Sequence, residues 1–231
     1  MRKIPEISGV YRSHFLTVPE AIGEASGIRV FGRLIKSLVF TTDVAIVRNI
    51  NADAVISVYP FTPQPPITQA IIMAAEMPVF CGVGGGITGG DRVVSLAKDA
   101  EFQGALGVVV NAPTTNETIA SVKATIDIPI VVTVVSQFSD IQARLDAGAS
   151  ILNVSGAQNT PAMVRAIRDK FPDVPIIATG GQTQSSILAT INAGANAITY
   201  TPPRPADQIK LFMERYRQEC NQAQEQIFED E

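Results

Sequence analysis

Asp43 is the one carboxylate in a series of polar residues that recur at the ends of short apolar runs. A carboxylate held in a closed setting can take or give a proton as a general base or acid. The rest of the series is uncharged: Ser57, Tyr59, Asn111, Thr133, Asn153, Ser155, Thr179, Thr199 and Thr201. Hydroxyls and amides of this kind orient a substrate without reacting with it. Asp43 also follows Thr41 and Thr42 and precedes an apolar stretch beginning at Val44, so a helix N-cap is its competing role. Two glycine turns accompany the series. One holds Gly84, Gly85 and Gly86 within the segment 82–90, and the other is Gly180-Gly181. Bare backbone lets a ligand approach closely, which suits the anionic end of a small molecule.

Other chemistries lack their residues. A Schiff-base aldolase needs a lysine at the end of a strand. Lys36 precedes the first strand, and Lys98, Lys123, Lys170 and Lys210 fall on helical stretches. The single histidine, His14, stands outside the repeats, so no metal-ligand cluster is expected. Cys81 and Cys220 cannot build a disulfide framework, and no base is identified for Cys81 as a nucleophile. Gly84, Gly86 and Gly89 match a dinucleotide fingerprint, which also wants an acidic residue after the next strand. That place holds Asn111, so no cofactor is expected. Asp91 reads as a helix cap.

The elements that must carry these residues are repeated. Met77-Pro78-Val79, Ile128-Pro129-Ile130 and Val174-Pro175-Ile176 each open an apolar run with a proline, which costs no ladder hydrogen bond at a strand's first residue. A second series opens on small residues, as in Gly104-Ala105, Gly148-Ala149 and Gly194-Ala195. The glycines there suit helix C-termini. The two series interleave with stretches of helical spacing, such as Ile119, Val122 and Ile126. Eight strands result, near 37–42, 53–59, 78–83, 106–111, 129–135, 150–155, 175–179 and 196–201. Eight alternating strand–helix units predict an α/β fold, a (β/α)8 TIM barrel with an N-terminal extension over 1–36. The barrel spans 37–218, and a polar tail spans 219–231. Thr17 and Glu20 have capping-box spacing for a short helix near 18–26.

Alternation within each strand gives a register. Placing Ile56, Val58, Val108, Val110, Val132, Val134, Leu152, Val154, Ile176, Ala178, Ile198 and Tyr200 against the helices turns Ser57, Tyr59, Asn111, Thr133, Asn153, Ser155, Thr179, Thr199 and Thr201 inward. Thr41, Asp43 and Cys81 are expected inward on the first and third strands. The polar positions cluster at the strands' C-terminal ends, where this fold carries its active sites.

Over 174–202 the chain reads PIIATGG…AGANAITYT, and this resembles the phosphate-binding (β/α)8 superfamily, the ribulose-phosphate-binding-like barrels. Its members include sugar-phosphate epimerases, thiamin-phosphate synthase and the glycerol-3-phosphate-responsive antiterminator regulator. The resemblance implies a phosphate held after strands seven and eight, with the Gly180-Gly181 turn and the helix N-terminus near Thr183 and Gln184 as donors and Thr201 and Arg204 beside them. Pro202 and Pro203 depart from the pattern because they offer no backbone N–H.

With 18 basic against 22 acidic residues and no basic block, a nucleic-acid partner is not expected. No apolar run reaches the ~20 residues of a membrane span, and Met1-Arg2-Lys3-Ile4-Pro5-Glu6 lacks a signal peptide's apolar core, so a cytoplasmic protein is expected. The segments 1–36 and 207–231 are candidate homo-oligomer interfaces. The functional expectation is an enzyme acting on a small phosphorylated metabolite by proton transfer, carbon–carbon cleavage or isomerisation, with Asp43 as acid or base. A hydrolase and a non-catalytic phospho-ligand sensor are the alternatives.

Overall fold

A computed structural model of the chain describes Pro5, Ile7, Gly9 and residues 16–229. His14 and the segment Met1-Arg2-Lys3-Ile4 lie outside the described residues. The described chain opens with a short 3-10 turn, Glu20–Glu24, and a hairpin of β1 (Ile28–Val30) and β2 (Arg33–Ile35). Eight parallel strands follow: β3 (Ser37–Phe40), β4 (Ala54–Ser57), β5 (Val79–Gly84), β6 (Gly107–Val110), β7 (Ile130–Val134), β8 (Ile151–Val154), β9 (Ile176–Thr179) and β10 (Ala197–Tyr200). Each pairs with its neighbours in sequence, and β10 pairs with β3 to close the barrel. The helices are α1 (Val44–Arg48), α2 (Pro65–Ala74), α3 (Asp91–Phe102), α4 (Asn116–Lys123), α5 (Ile141–Asp146), α6 (Thr160–Lys170), α7 (Gln184–Asn192) and α8 (Pro205–Glu229). Seven of them alternate with the strands, which makes the fold a TIM barrel.

The barrel interior is filled by Leu38, Ala54, Ile56, Phe80, Val109, Val131, Ile151, Ile177 and Ala197. Phe80 is the largest fully buried side chain. Its ring occupies space that a side chain at position 107 would need: a Cβ on Gly107 would stand 2.7 Å from Phe80 Cδ1. Glycine at that point of β6 therefore lets one large ring do the filling. The hairpin closes the N-terminal end, since Ile28, Val30 and Ile35 join the same cluster. The Asp53 carboxylate fixes the start of β3 by accepting from Lys36 N, Ser37 N and Ser37 Oγ.

The outer wall of β3 and β10 is covered by the N-terminal segment. Leu16 and Val18 pack on the cluster containing Val39, and Ala21 and Ile22 are buried in the cluster containing Ile198. Ala21 N donates to Gln184 Oε1 at the start of α7, at 3.1 Å. The expected capping box does not form here. Glu20 opens a 3-10 turn whose cap, Pro19, makes no side-chain hydrogen bond. The reason is geometric: the turn is only five residues long and is fixed by burying Ala21 and Ile22.

The chain divides into two compact units, Met1–Thr201 and Pro202–Glu231. The first unit closes just after β10. The second unit is built on α8, which opens on Pro205, a residue suited to a helix's first position. It runs to Glu229 without a break at 218, so the stretch expected as a separate tail continues the helix. Among the described residues no helix is long and apolar enough to cross a membrane.

The register expected from alternation holds for β6 to β10 and is wrong for β3 to β5. Ile56 faces the interior with Phe80, its partner in register. Ser57 pairs with Cys81, and Cys81 lies in the helix-facing cluster with Val55 and Val79. On β3, Val39 faces the helices, which puts Leu38 and Phe40 inward. The cause is the volume demand of the barrel centre. Leu38, Ile56 and Phe80 supply it, and the smaller Ser57 and Cys81 take the tighter layer beneath the helices.

Candidate functional site

A cavity of about 290 Å³ opens at the C-terminal end of the barrel. Its apolar lining is Phe40, Ile56, Val58, Val109 and Val135. Its polar lining comes from β6 to β10 and the residues just beyond them: Asn111, Thr133, Asn153, Ser155, Thr179, Thr199 and Thr201. None of these side chains is charged. The polar lining is partly self-satisfied. Asn153 Nδ2 donates to Thr133 Oγ1, and Thr179 Oγ1 donates to Ser155 Oγ, each at 3.3 Å.

Two atoms of this wall have no partner. Asn153 Oδ1 and Thr199 Oγ1 are buried and unbonded. Leaving a buried polar atom unpaired costs ~1–3 kcal/mol. Among the described residues only four buried side-chain atoms are in this state. Two of the four sit in the mouth, and a third, Thr114 Oγ1, belongs to the loop beside it, so the unmet hydrogen bonding is concentrated at this end of the barrel.

A second cavity of about 240 Å³ adjoins the first, and the two share Val58 and Asn111. Its lining is Tyr59, Pro60, Phe61 and Pro63 on one side and Gly82, Gly84, Gly85, Gly86 and Ile87 on the other. The glycine side is shaped by a bulge in β5. Gly82 pairs with Val109 but Gly84 pairs with Val110, so Val83 is the extra residue. A bulge re-aims the chain beyond it. Here it lays the backbone of Gly85 against Asn111. Gly85 has φ +101°, and a Cβ on it would lie 2.7 Å from Asn111 N and 2.8 Å from Thr114 Oγ1. Position 85 therefore needs glycine both for its conformation and for the approach.

Asn111 is also held from the other side. The loop after β6 is tied down by Arg144 of α5, whose guanidinium donates to Thr114 O, to Asn116 Oδ1 at 2.9 Å and to Ala112 O at 2.9 Å. Nothing in the local sequence marks Arg144. A lone arginine within a helical stretch gives no signal that it will reach back to a neighbouring loop. Phe40 and Val58 were also missed, because the register expected for the first strands turned them away from the mouth.

Asn111, Thr133, Asn153, Ser155, Thr179, Thr199 and Thr201 come together in the first cavity. Tyr59, Gly84, Gly85 and Gly86 line the second. The Tyr59 hydroxyl accepts from Gln64 N at 2.8 Å. Ser57 is buried on the helix side and lines neither cavity. Asp43 is a cap: Oδ1 accepts from Ala45 N at 2.8 Å and Ile46 N at 3.1 Å, and it lines neither cavity. The first strand ends before it reaches Asp43, and the donors of α1 claim its carboxylate. Cys81 is also removed from the mouth. Burial pushes its thiol up to about 12, far from a reactive thiolate. Asp91 opens the first turn of α3, but the cap is Gly90, whose φ of +58° the turn requires.

The Gly180-Gly181 turn lines neither cavity. It leads into α7, whose N-terminus carries a capping box: Thr183 Oγ1 accepts from Ser186 N, and Ser186 Oγ accepts from Thr183 N. That box uses donors that an anion would otherwise meet. Among the described residues no group of three or more His, Cys, Asp or Glu stands close enough to share a metal ion.

No family model and no curated protein matches the chain. Solved structures do. A phosphonopyruvate hydrolase superposes with a TM-score of 0.62 at 14% identity, over 88% of this chain and 87% of that one. A phosphoenolpyruvate phosphomutase from Streptomyces platensis subsp. rosaceus gives 0.58 at 13%, over 84% and 83%. A mandelate oxidase gives 0.62 at 17%, over 77% and 68%. At such identities the likeness is one of architecture, and it agrees with the closed eight-stranded sheet: this chain shares the TIM-barrel fold of those enzymes.

Proposed function

We propose that the chain is an enzyme that binds a small phosphorylated metabolite in the mouth of the barrel. The observation that carries this reading is the pair of buried, unpartnered atoms, Asn153 Oδ1 and Thr199 Oγ1, on the wall of an open cavity at the end where TIM barrels do their chemistry. In this reading Asn111, Thr133, Asn153, Ser155, Thr179, Thr199 and Thr201 orient the ligand, while Phe40 and Val58 cover its apolar side. The anionic end has two candidate seats, the glycine backbone at Gly84, Gly85 and Gly86 and the Gly180-Gly181 turn ahead of α7. The resemblance of 174–202 to ribulose-phosphate-binding barrels favours the second. Pro202, Pro203 and the α7 capping box favour the first, because they withhold donors from the usual place.

Phosphonopyruvate hydrolase and phosphoenolpyruvate phosphomutase, both similar in fold, bear the names of phosphorus-containing substrates. Their support extends to the ligand class alone. With Asp43 bound as a cap, proton transfer falls to the Tyr59 hydroxyl or to groups on the substrate itself. The uncharged lining favours a second reading, a sensor that binds without turnover.

A thermal-shift screen of phosphorylated metabolites against their unphosphorylated parents tests the proposal. A ligand at ~100 times its dissociation constant adds ~2.7 kcal/mol of stability. The expected result is a rise in Tm that requires the phosphate. If every phosphorylated compound left Tm unchanged while a neutral parent raised it, the phosphate reading would be wrong. Following the hit by phosphorus and proton NMR separates the two readings: a new product signal marks an enzyme, and an unchanged ligand spectrum marks a sensor.

A further inference from the structure

We propose that the first cavity selects an uncharged hydrogen-bonding group of the ligand, a carboxamide or a hydroxyl, and excludes carboxylates and ammonium groups. This rests on the reading of the mouth as the ligand site and names what the deep end of the ligand must be.

The argument is one of matching. Thr199 is 7% exposed, and its hydroxyl has no partner. The Asn153 amide has one end on Thr133 and the other end buried and unpaired. An amide carries a donor at one end and an acceptor at the other. Whichever end meets Thr133, one of each kind of group is left for a ligand once the rotatable Thr199 hydroxyl is counted. A carboxamide or a hydroxyl supplies both a donor and an acceptor. A purely apolar group would leave both protein atoms unsatisfied. A charged group would enter a lining of hydroxyls and amides together with Phe40 and Val58, with no opposite charge among the lining residues, and would lose its water without an ion pair in return. The anionic end of the same ligand then lies outside this cavity, toward the glycine backbone.

The test uses the full chain with methyl-labelled threonine and three probes of one size: propionamide, sodium propionate and propylammonium chloride. Propionamide is expected to shift the Thr133, Thr179 and Thr199 methyl signals saturably. Both charged probes are expected to bind at least ~10-fold more weakly, as an unpaired buried charge demands. Thr199→Val is expected to raise the Tm of the free protein, because it removes an unsatisfied atom, and both Thr199→Val and Asn153→Leu, which also gives up the bond to Thr133, are expected to abolish the propionamide shifts at the remaining threonines. Thr199→Val is nearly isosteric and keeps the test sound if Asn153→Leu fails to fold. Propionate or propylammonium binding as tightly as propionamide would overturn the inference, as would propionamide shifts that persist in Thr199→Val. If no probe binds while a phosphorylated compound still raises Tm, this inference falls and the mouth reading stands. If neither binds, both fall.

Discussion

The two halves of the barrel mouth are built on opposite principles. Strands β3 to β5 and the residues just beyond them carry Phe40, Val58 and Gly82, which bring bulk or bare backbone to the opening. Strands β6 to β10 lead to Asn111, Thr133, Asn153, Thr179 and Thr199, which bring hydrogen bonding. The first half completes the packing begun by Leu38, Ile56 and Phe80 below it. The second half leaves packing incomplete and polar atoms unmatched. The difference teaches that stability and recognition are divided around the ring, so mutations on the two sides should report different things.

The largest effect should come from breaking the packed half. Phe80→Ala removes the ring that fills the space over Gly107 and is expected to cost ~3–5 kcal/mol in urea unfolding. Next is the seam between the halves. Gly85→Ala forces a side chain into a left-handed conformation against Asn111, with an expected loss of ~1–3 kcal/mol. Its heteronuclear spectrum should show Asn111 and Thr114 displaced while the β8–β9 signals stay in place.

The polar half predicts the opposite sign. Thr199→Val should stabilise the free protein by ~1 kcal/mol in the same unfolding assay, and weaken any ligand found in the thermal screen. Ser57→Ala is the control from the packed half and should leave ligand affinity unchanged, since Ser57 faces the helices. Asp43, away from both cavities, tests the cap alone. Asp43→Ala should lose ~1 kcal/mol as a missing cap, while Asp43→Asn retains the cap, the stability and the ligand affinity. A large loss of turnover in a stable Asp43→Asn protein would return Asp43 to the chemistry.

The same division governs what alternation could reveal in advance. The strand count, the strand positions and the closed sheet follow from the proline-led and glycine-led repeats, which are local signals. On β7 to β9, Thr133, Asn153 and Thr179 interrupt apolar runs and mark the inner face directly. On β4 and β5 the runs Ala54-Val55-Ile56 and Val79-Phe80 are apolar on both faces. Alternation has no contrast there, and Ser57 and Cys81 mislead because small residues fit the helix side as readily as a wet mouth. Asp43 was ambiguous for a different reason: a cap and a catalytic carboxylate have the same local sequence. Arg144 and the β5 bulge depend on contacts between distant segments, which no window of sequence contains.

The covering of β3 and β10 by residues 16–25 also imposes an order in time. Ala21 waits for Gln184, and Ser26 waits for Asn196, partners 163 and 170 residues further along the chain. A segment made before the whole barrel is thus among the last parts of it to find its place. Until β10 emerges, Ile22 has no wall to bury against and the nascent sheet keeps an open edge at β3. Contacts this distant form slowly, and the nascent chain is most prone to aggregate before β10 is available to make them.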